Sequence, residues 1–139
     1  MKTRFSSLVT LKKSTMDKSE RVVQKANADL NSATQALELS YDSLQDIDSP
    51  QSGTMSDMLV SRTLLSYQRG TIEHNKAWVE FSKNQLLQAK KQLKADMIEH
   101  EKFKYLEFEE IKKALKIKAI QEAKDLDEIA LMTHVRKSS

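Results

Sequence analysis

Large apolar residues recur every seven positions along most of the chain. Val9, Met16, Val23, Leu30, Leu37 and Leu44 form one unbroken line, and Met58, Leu65, Ile72, Val79, Leu86 and Leu93 form a second. A strict repeat of seven held over this many turns implies two helices supercoiled left-handedly, because 3.5 residues per turn keep one stripe facing a partner. Three residues on runs a companion line of mostly small or polar residues. It reads Lys12, Ser19, Ala26, Ala33, Ser40 and Ile47 in the first half, and Ser61, Gln68, Asn75, Ser82, Ala89 and Asp96 in the second. Large residues on one line and small ones on the other suit close helix approach. The alternative is two unconnected amphipathic helices.

Punctuation is concentrated in one place. The chain of 139 residues has one proline and two glycines, and Ser49-Pro50-Gln51-Ser52-Gly53 holds the proline and one glycine. So few turn residues cannot build a sandwich or an alternating α/β fold. Proline removes a backbone donor and pushes the preceding residue out of the helical region. Thr54-Met55-Ser56-Asp57 then reads as a capping box, Thr54 accepting from the amide three residues on and Asp57 reaching back. The expectation is an all-α, antiparallel two-helix coiled-coil hairpin over 1–139 as a single domain, with helix 1 at about 4–47, a turn at about 48–55 and helix 2 at about 56–134. Gly70 falls inside helix 2, where it costs about 1 kcal/mol relative to Ala and marks a bend or a close approach by a partner.

The two arms are unequal, roughly 66 and 118 Å at 1.5 Å per residue. Pairing outward from the turn puts Phe5 near Glu99 and leaves everything after about residue 100 without an intramolecular partner. That stretch carries Phe103, Leu106, Phe108, Ile111, Leu115, Ile117, Ile120, Leu126, Ile129 and Met132. An amphipathic helix is stabilised mainly by packing its apolar face, so the overhang meets another protein, self-associates or frays.

Off the seam, Ala26 to Ser61 holds no Lys or Arg but carries Asp29, Glu38, Asp42, Asp46, Asp48 and Asp57. Arg62, Arg69, Lys76, Lys83 and Lys90 repeat every seven residues beside the helix 2 seam, and charge complementarity across the hairpin is expected to fix register. The basic N-terminal end, Lys2, Arg4, Lys12 and Lys13, meets an acidic partner surface or forms a solvated face. Leu64, Tyr67, His74, Trp78 and Phe81 fall on one helical face away from the Leu65/Ile72/Val79 line. Exposed contiguous aromatics mark interaction sites; the competing reading puts Trp78 and Phe81 in an irregular seam. Tyr41 is expected level with Leu64 to Tyr67, extending the patch.

The sequence offers no catalytic chemistry. Without cysteine there is no thiolate nucleophile, thiolate metal site or disulfide scaffold. His74, His100 and His134 are too far apart along one helix to converge on a metal, and no glycine loop could cradle phosphate. No catalytic residue, metal, cofactor or small-molecule ligand is assigned. A net charge of +3 does not imply nucleic acid, and the Arg62–Lys90 row is the sole candidate for such a stripe. There is no 18-residue apolar run, and MKTRFSSLVTLKKS lacks the apolar region of a signal peptide. A cytoplasmic-type, non-enzymatic protein is expected.

Two end segments resemble a known family. Arg4-Phe5 followed by Leu8, Leu11, Lys12 and Asp17-Lys18-Ser19-Glu20, together with Glu101-Lys102-Phe103-Lys104-Tyr105 and Gln121-Glu122-Ala123-Lys124-Asp125-Leu126-Asp127-Glu128-Ile129-Ala130, are similar to the opening and closing of the FliJ family of flagellar type III export proteins. The resemblance implies a non-enzymatic stalk, similar to the γ stalk of rotary ATP synthases, and an export chaperone. Its terminal coiled coil would enter the pore of a hexameric export ATPase (FliI-like), and its middle would contact the export gate membrane protein (FlhA-like). By position, the resemblance assigns ATPase binding to Phe5, Leu8, Leu11, Lys12, Leu115, Leu126, Asp127 and Glu128. It assigns gate binding to Tyr41, Tyr67, His74, Trp78 and Phe81. A location peripheral to the inner-membrane export apparatus is implied, with export chaperones as further partners. The alternatives are the stalk of a virulence-type injectisome and a plain coiled-coil scaffold or dimer.

Overall fold

The computed structural model describes residues 2–47 and 53–138. They form two helices, α1 (Ser6–Gln45) and α2 (Met55–Ser138), within about a turn of the expected bounds. Most of the expected turn, residues 48–52, lies outside the described residues. Where description resumes, Gly53 has φ +153°, a value that residues with a side chain rarely adopt, and a Cβ there would meet Asp57 Oδ2 at 3.0 Å. The capping box forms as read: the Thr54 amide donates to Asp57 Oδ2 and the Asp57 amide donates to Thr54 Oγ1, both at 3.3 Å. A similar cap starts α1. Thr3 Oγ1 accepts from the Phe5 amide at 3.1 Å, and Ser6 Oγ accepts from the Thr3 amide at 2.8 Å.

The chain divides into two compact units, one of Met1–Met16 with Asp96–Ser139 and one of Asp17–Ala95. In the 17–95 unit the heptad lines face each other. In α1 the small line is the more deeply buried, whereas α2 buries residues of both lines: Ser19, Ala26, Ala33 and Ser40 of α1 meet Ile72, Asn75, Val79, Ser82, Leu86 and Ala89 of α2. Ala33 is wholly buried. Val23 and Leu30 cover a cluster of Ala26, Leu86 and Ala89. Small side chains let the two helices approach, and the larger ones close over the flanks. Two amides of α2 reach α1. Gln68 Nε2 donates to the Ser40 carbonyl at 2.8 Å, and Asn75 Nδ2 donates to the Ala36 carbonyl at 3.2 Å and to the Ser40 hydroxyl.

The first residues of α2 correct the expected pairing. Met55–Val60 are all exposed and Ser61 is the first buried position, so Met58 is not part of the seam. In the 1–16 and 96–139 unit, Lys12 Nζ lies 3.8 Å from Glu99 Oε2, and Arg4 Nη2 lies 2.7 Å from Glu110 Oε1. Phe5 is therefore near the level of Glu110, not Glu99. Residues 100–114 have α1 beside them: His100 is buried, and Phe103, Leu106, Ile111 and Ala114 are half-buried. The exposed end of α2 begins at Leu115, not at about residue 100. The level of Phe5 moves from Glu99 to Glu110, and the start of the uncovered stretch moves from about residue 100 to 115. A count from a symmetric turn identifies the seam face but not the register, because a repeat of seven presents the same stripe whichever heptads meet.

Charge complementarity across the hairpin is not what Lys76 and Lys83 make. They pair with Glu73 at 3.5 Å and Glu80 at 3.9 Å on their own helix. Among the described residues, no helix is long and apolar enough to cross a membrane.

Candidate partner-binding surfaces

In the 17–95 unit, the seam period leaves one face of α2 uncovered. Leu64, Tyr67, His74, Trp78 and Phe81 are all exposed, with Tyr67 at 74%, Phe81 at 61% and Trp78 at 38%. His74, Ala77, Trp78 and Phe81 line a shallow depression with little polar surface. The aromatic stripe thus lies outside the seam. Gly70 has nothing within 4 Å of where its Cβ would be, so no close contact within the chain demands glycine there.

Tyr41 does not join this stripe. Its hydroxyl lies against the Lys76 ammonium, and hydrogen bonding and charge attraction from Tyr41, then attraction to Glu73, raise the Lys76 pKa above its ordinary value. At about 100° per residue, Lys76 projects about 40° to one side of Ile72 and Trp78 about 120° to the other. Tyr41 is therefore on the opposite flank of the seam from Trp78, and nearer Lys76 than the expected level of Leu64 to Tyr67.

In the unit of the termini, Phe5 is half-buried and Leu8 and Leu11 are exposed. Lys12 is engaged by Glu99 and by the Phe103 ring, whose centroid lies 5.6 Å from Nζ. The stretch beyond Ala114 exposes Leu115, Ile117, Ile120, Leu126, Ile129, Leu131, Met132 and Val135, with Asp127 and Glu128 exposed among them. The structure brings Phe5, Leu8, Leu11 and Lys12 beside residues 99–111 of α2. It does not bring them beside Leu115, Leu126, Asp127 and Glu128, which lie past the end of α1.

One feature of this unit escaped the sequence reading. Val9, Lys13, His100, Lys104, Tyr105, Phe108 and Ile111 line a groove, and Tyr105 and Phe108 are exposed. Extending the seam by sevens to Phe103, His100 and Glu107 would have left Tyr105 and Phe108 outside it, but the misplaced register hid that signal. Among the described residues, no group of three or more His, Cys, Asp or Glu side chains is arranged to hold a metal ion.

The family model of the flagellar FliJ protein matches residues 1–139, the whole chain. The chain belongs to the FliJ family. Membership ties it to flagellar protein export and to a family of non-enzymatic stalk and chaperone-type proteins. No curated protein and no solved structure matches it. In this FliJ-family chain, the end of α2, the aromatic stripe and the groove with Tyr105 and Phe108 are exposed apolar surfaces.

Proposed function

We propose that the chain is an adaptor stalk of the flagellar export apparatus that links a hexameric export ATPase to the export gate. Family membership across the full length supports the flagellar setting over an injectisome. The terminal unit is the part that enters the ATPase ring, through Phe5 just before α1, Leu8, Leu11 and Lys12 on α1, and Leu115, Leu126, Asp127 and Glu128 on α2. The Tyr67, His74, Trp78 and Phe81 face is the gate contact, and Tyr41 contributes from the other flank if the gate wraps the hairpin. Export chaperones are further partners of the same rod, and the inner-membrane apparatus is where it acts.

The observation that carries this reading is the exposed apolar load after Ala114. A helix is held mainly by burying its apolar face, and eight large apolar residues from Leu115 to Val135 have no such burial in the chain. A ring with an apolar-lined pore would supply it. Removing everything after Ala114 tests this. The truncated chain should keep its helical hairpin and lose ATPase-ring binding and stimulation. Stimulation equal to that of the full chain counts against a shaft made of this segment and favours a plain scaffold.

A further inference from the structure

Asn75 is a buried amide on a line whose other buried members, Ser61, Ser82 and Ala89, are all small. It is 8% exposed and Ser40 is 5% exposed. Asn75 Nδ2 donates to the Ser40 hydroxyl and to the Ala36 carbonyl, the Ser40 hydroxyl donates to that same carbonyl at 2.8 Å, and the Ser40 carbonyl accepts from Gln68 Nε2. The cluster is fully paired: among the described residues, no buried side-chain nitrogen or oxygen lacks a partner.

The rest of the seam is nearly blind to a slip of seven. Moving α2 one heptad along α1 still sets small residues (Ala, Ser) and larger apolar ones (Ile, Val, Leu) against residues of the same kinds. One slipped register even has an attraction, since it would carry Met58, exposed here, towards the end of α1. What the slip does not preserve is the hydroxyl partner of Asn75. In place of Ser40 it would face Ala33 in one direction or Ile47 in the other, and neither has a hydroxyl. Main-chain carbonyls like those that accept from Asn75 and Gln68 recur in every register, so the Ser40 hydroxyl alone tells the registers apart: a buried amide with one partner fewer bears part of its desolvation cost, while the same amide fully paired contributes little net stability. Its effect is therefore on the choice between registers rather than on the strength of any one of them, as with single buried polar residues in other coiled coils.

We propose that the buried Asn75–Ser40 side-chain pair is the register lock of the 17–95 unit. It selects the pairing in which Met55–Val60 stay outside the seam and Ser61 opens it.

The chain has no cysteine, so engineered pairs report register without background. In the full chain, Ala26→Cys with Ala89→Cys reports the observed register, because both residues belong to one buried cluster. Ala26→Cys with Ser82→Cys reports the slip of one heptad. In the parent background a short thiol cross-linker should close the 26–89 pair and leave the 26–82 pair open. Adding Asn75→Leu, which removes the need for a polar partner, should raise the 26–82 yield at least about fivefold at unchanged helicity. Ser40→Ala should raise it less, in the same direction. Should Asn75→Leu aggregate, Ser40→Ala, the smaller change, decides. Helical variants that cross-link at 26–82 no more than the parent overturn the proposal.

Discussion

Leu30 and Asp46 show how exposure separates two substitutions in the same helix region. Leu30 is half-buried over Ala26, Leu86 and Ala89, so Leu30→Asp places an unpartnered charge at the seam and should cost about 2–4 kcal/mol. Asp46 is exposed, and Asp46→Ala should shift stability by less than about 0.5 kcal/mol. Chemical denaturation followed by circular dichroism compares them, and equal midpoints would mean that the seam is misassigned. Gly70 lies in open helix surface, so Gly70→Ala should stabilise by about 0.5–1 kcal/mol. Lys76 supplies a pH effect. Its raised pKa means that folding favours the ammonium form, so its contribution is complete below the ordinary lysine pKa and is lost as pH rises through the raised value. Tyr41→Phe should bring the Lys76 titration back down, as followed by NMR of its side chain, with little change at neutral pH because the lysine is fully exposed. The aromatic stripe was legible in the sequence for the same reason that Leu30 was. A face at a fixed angle from a seven-residue seam stays out of that seam wherever the register falls.

At the scale of the elements, period was legible and register was not. The lines through Ser19, Ala26 and Ala33 and through Ile72, Val79 and Leu86 name buried positions, because a repeat of seven specifies a face. It does not specify which heptad meets which. That choice rests on sparse polar contacts, namely Asn75 with Ser40, Lys12 with Glu99 and Arg4 with Glu110. No local pattern flags these partners, which are up to 106 residues apart. The turn that would have fixed the count also offers no shortcut, since α2 begins at Met55 but its burial begins at Ser61. Hydrogen exchange distinguishes the two registers. Amides of α1 from Ser19 to Ser40 and of α2 from Ser61 to about Ile111 should be the slowest, and those after Leu115 fast. A protection boundary near residue 100 would restore the symmetric-turn count, and uniform protection to Met132 in the isolated monomer would mean that the end of α2 finds a partner in the chain.

For the whole molecule, the decisive question is whether its two exposed surfaces act separately. The FliJ family was legible from the terminal segments because they carry specific residue strings, whereas the middle of the chain repeats a pattern common to many coiled coils. Trp78→Ala combined with Phe81→Ala should weaken binding to the gate far more than binding to the ATPase ring. Truncation after Ala114 should do the reverse. Both aromatics are exposed, so the double substitution should cost no more than about 1 kcal/mol of stability, whereas buried aromatics in a core cost about 3–5 kcal/mol each. Aromatic residues that become buried at an interface commonly contribute about 2 kcal/mol or more to binding, so gate affinity should fall at least about thirtyfold if this face is the contact. Helicity and melting measured beside both affinities decide it. A double variant that melts early but binds the gate normally when cold would place Trp78 and Phe81 in the seam, and one that folds normally and binds both partners normally would leave the stripe without a role at the gate.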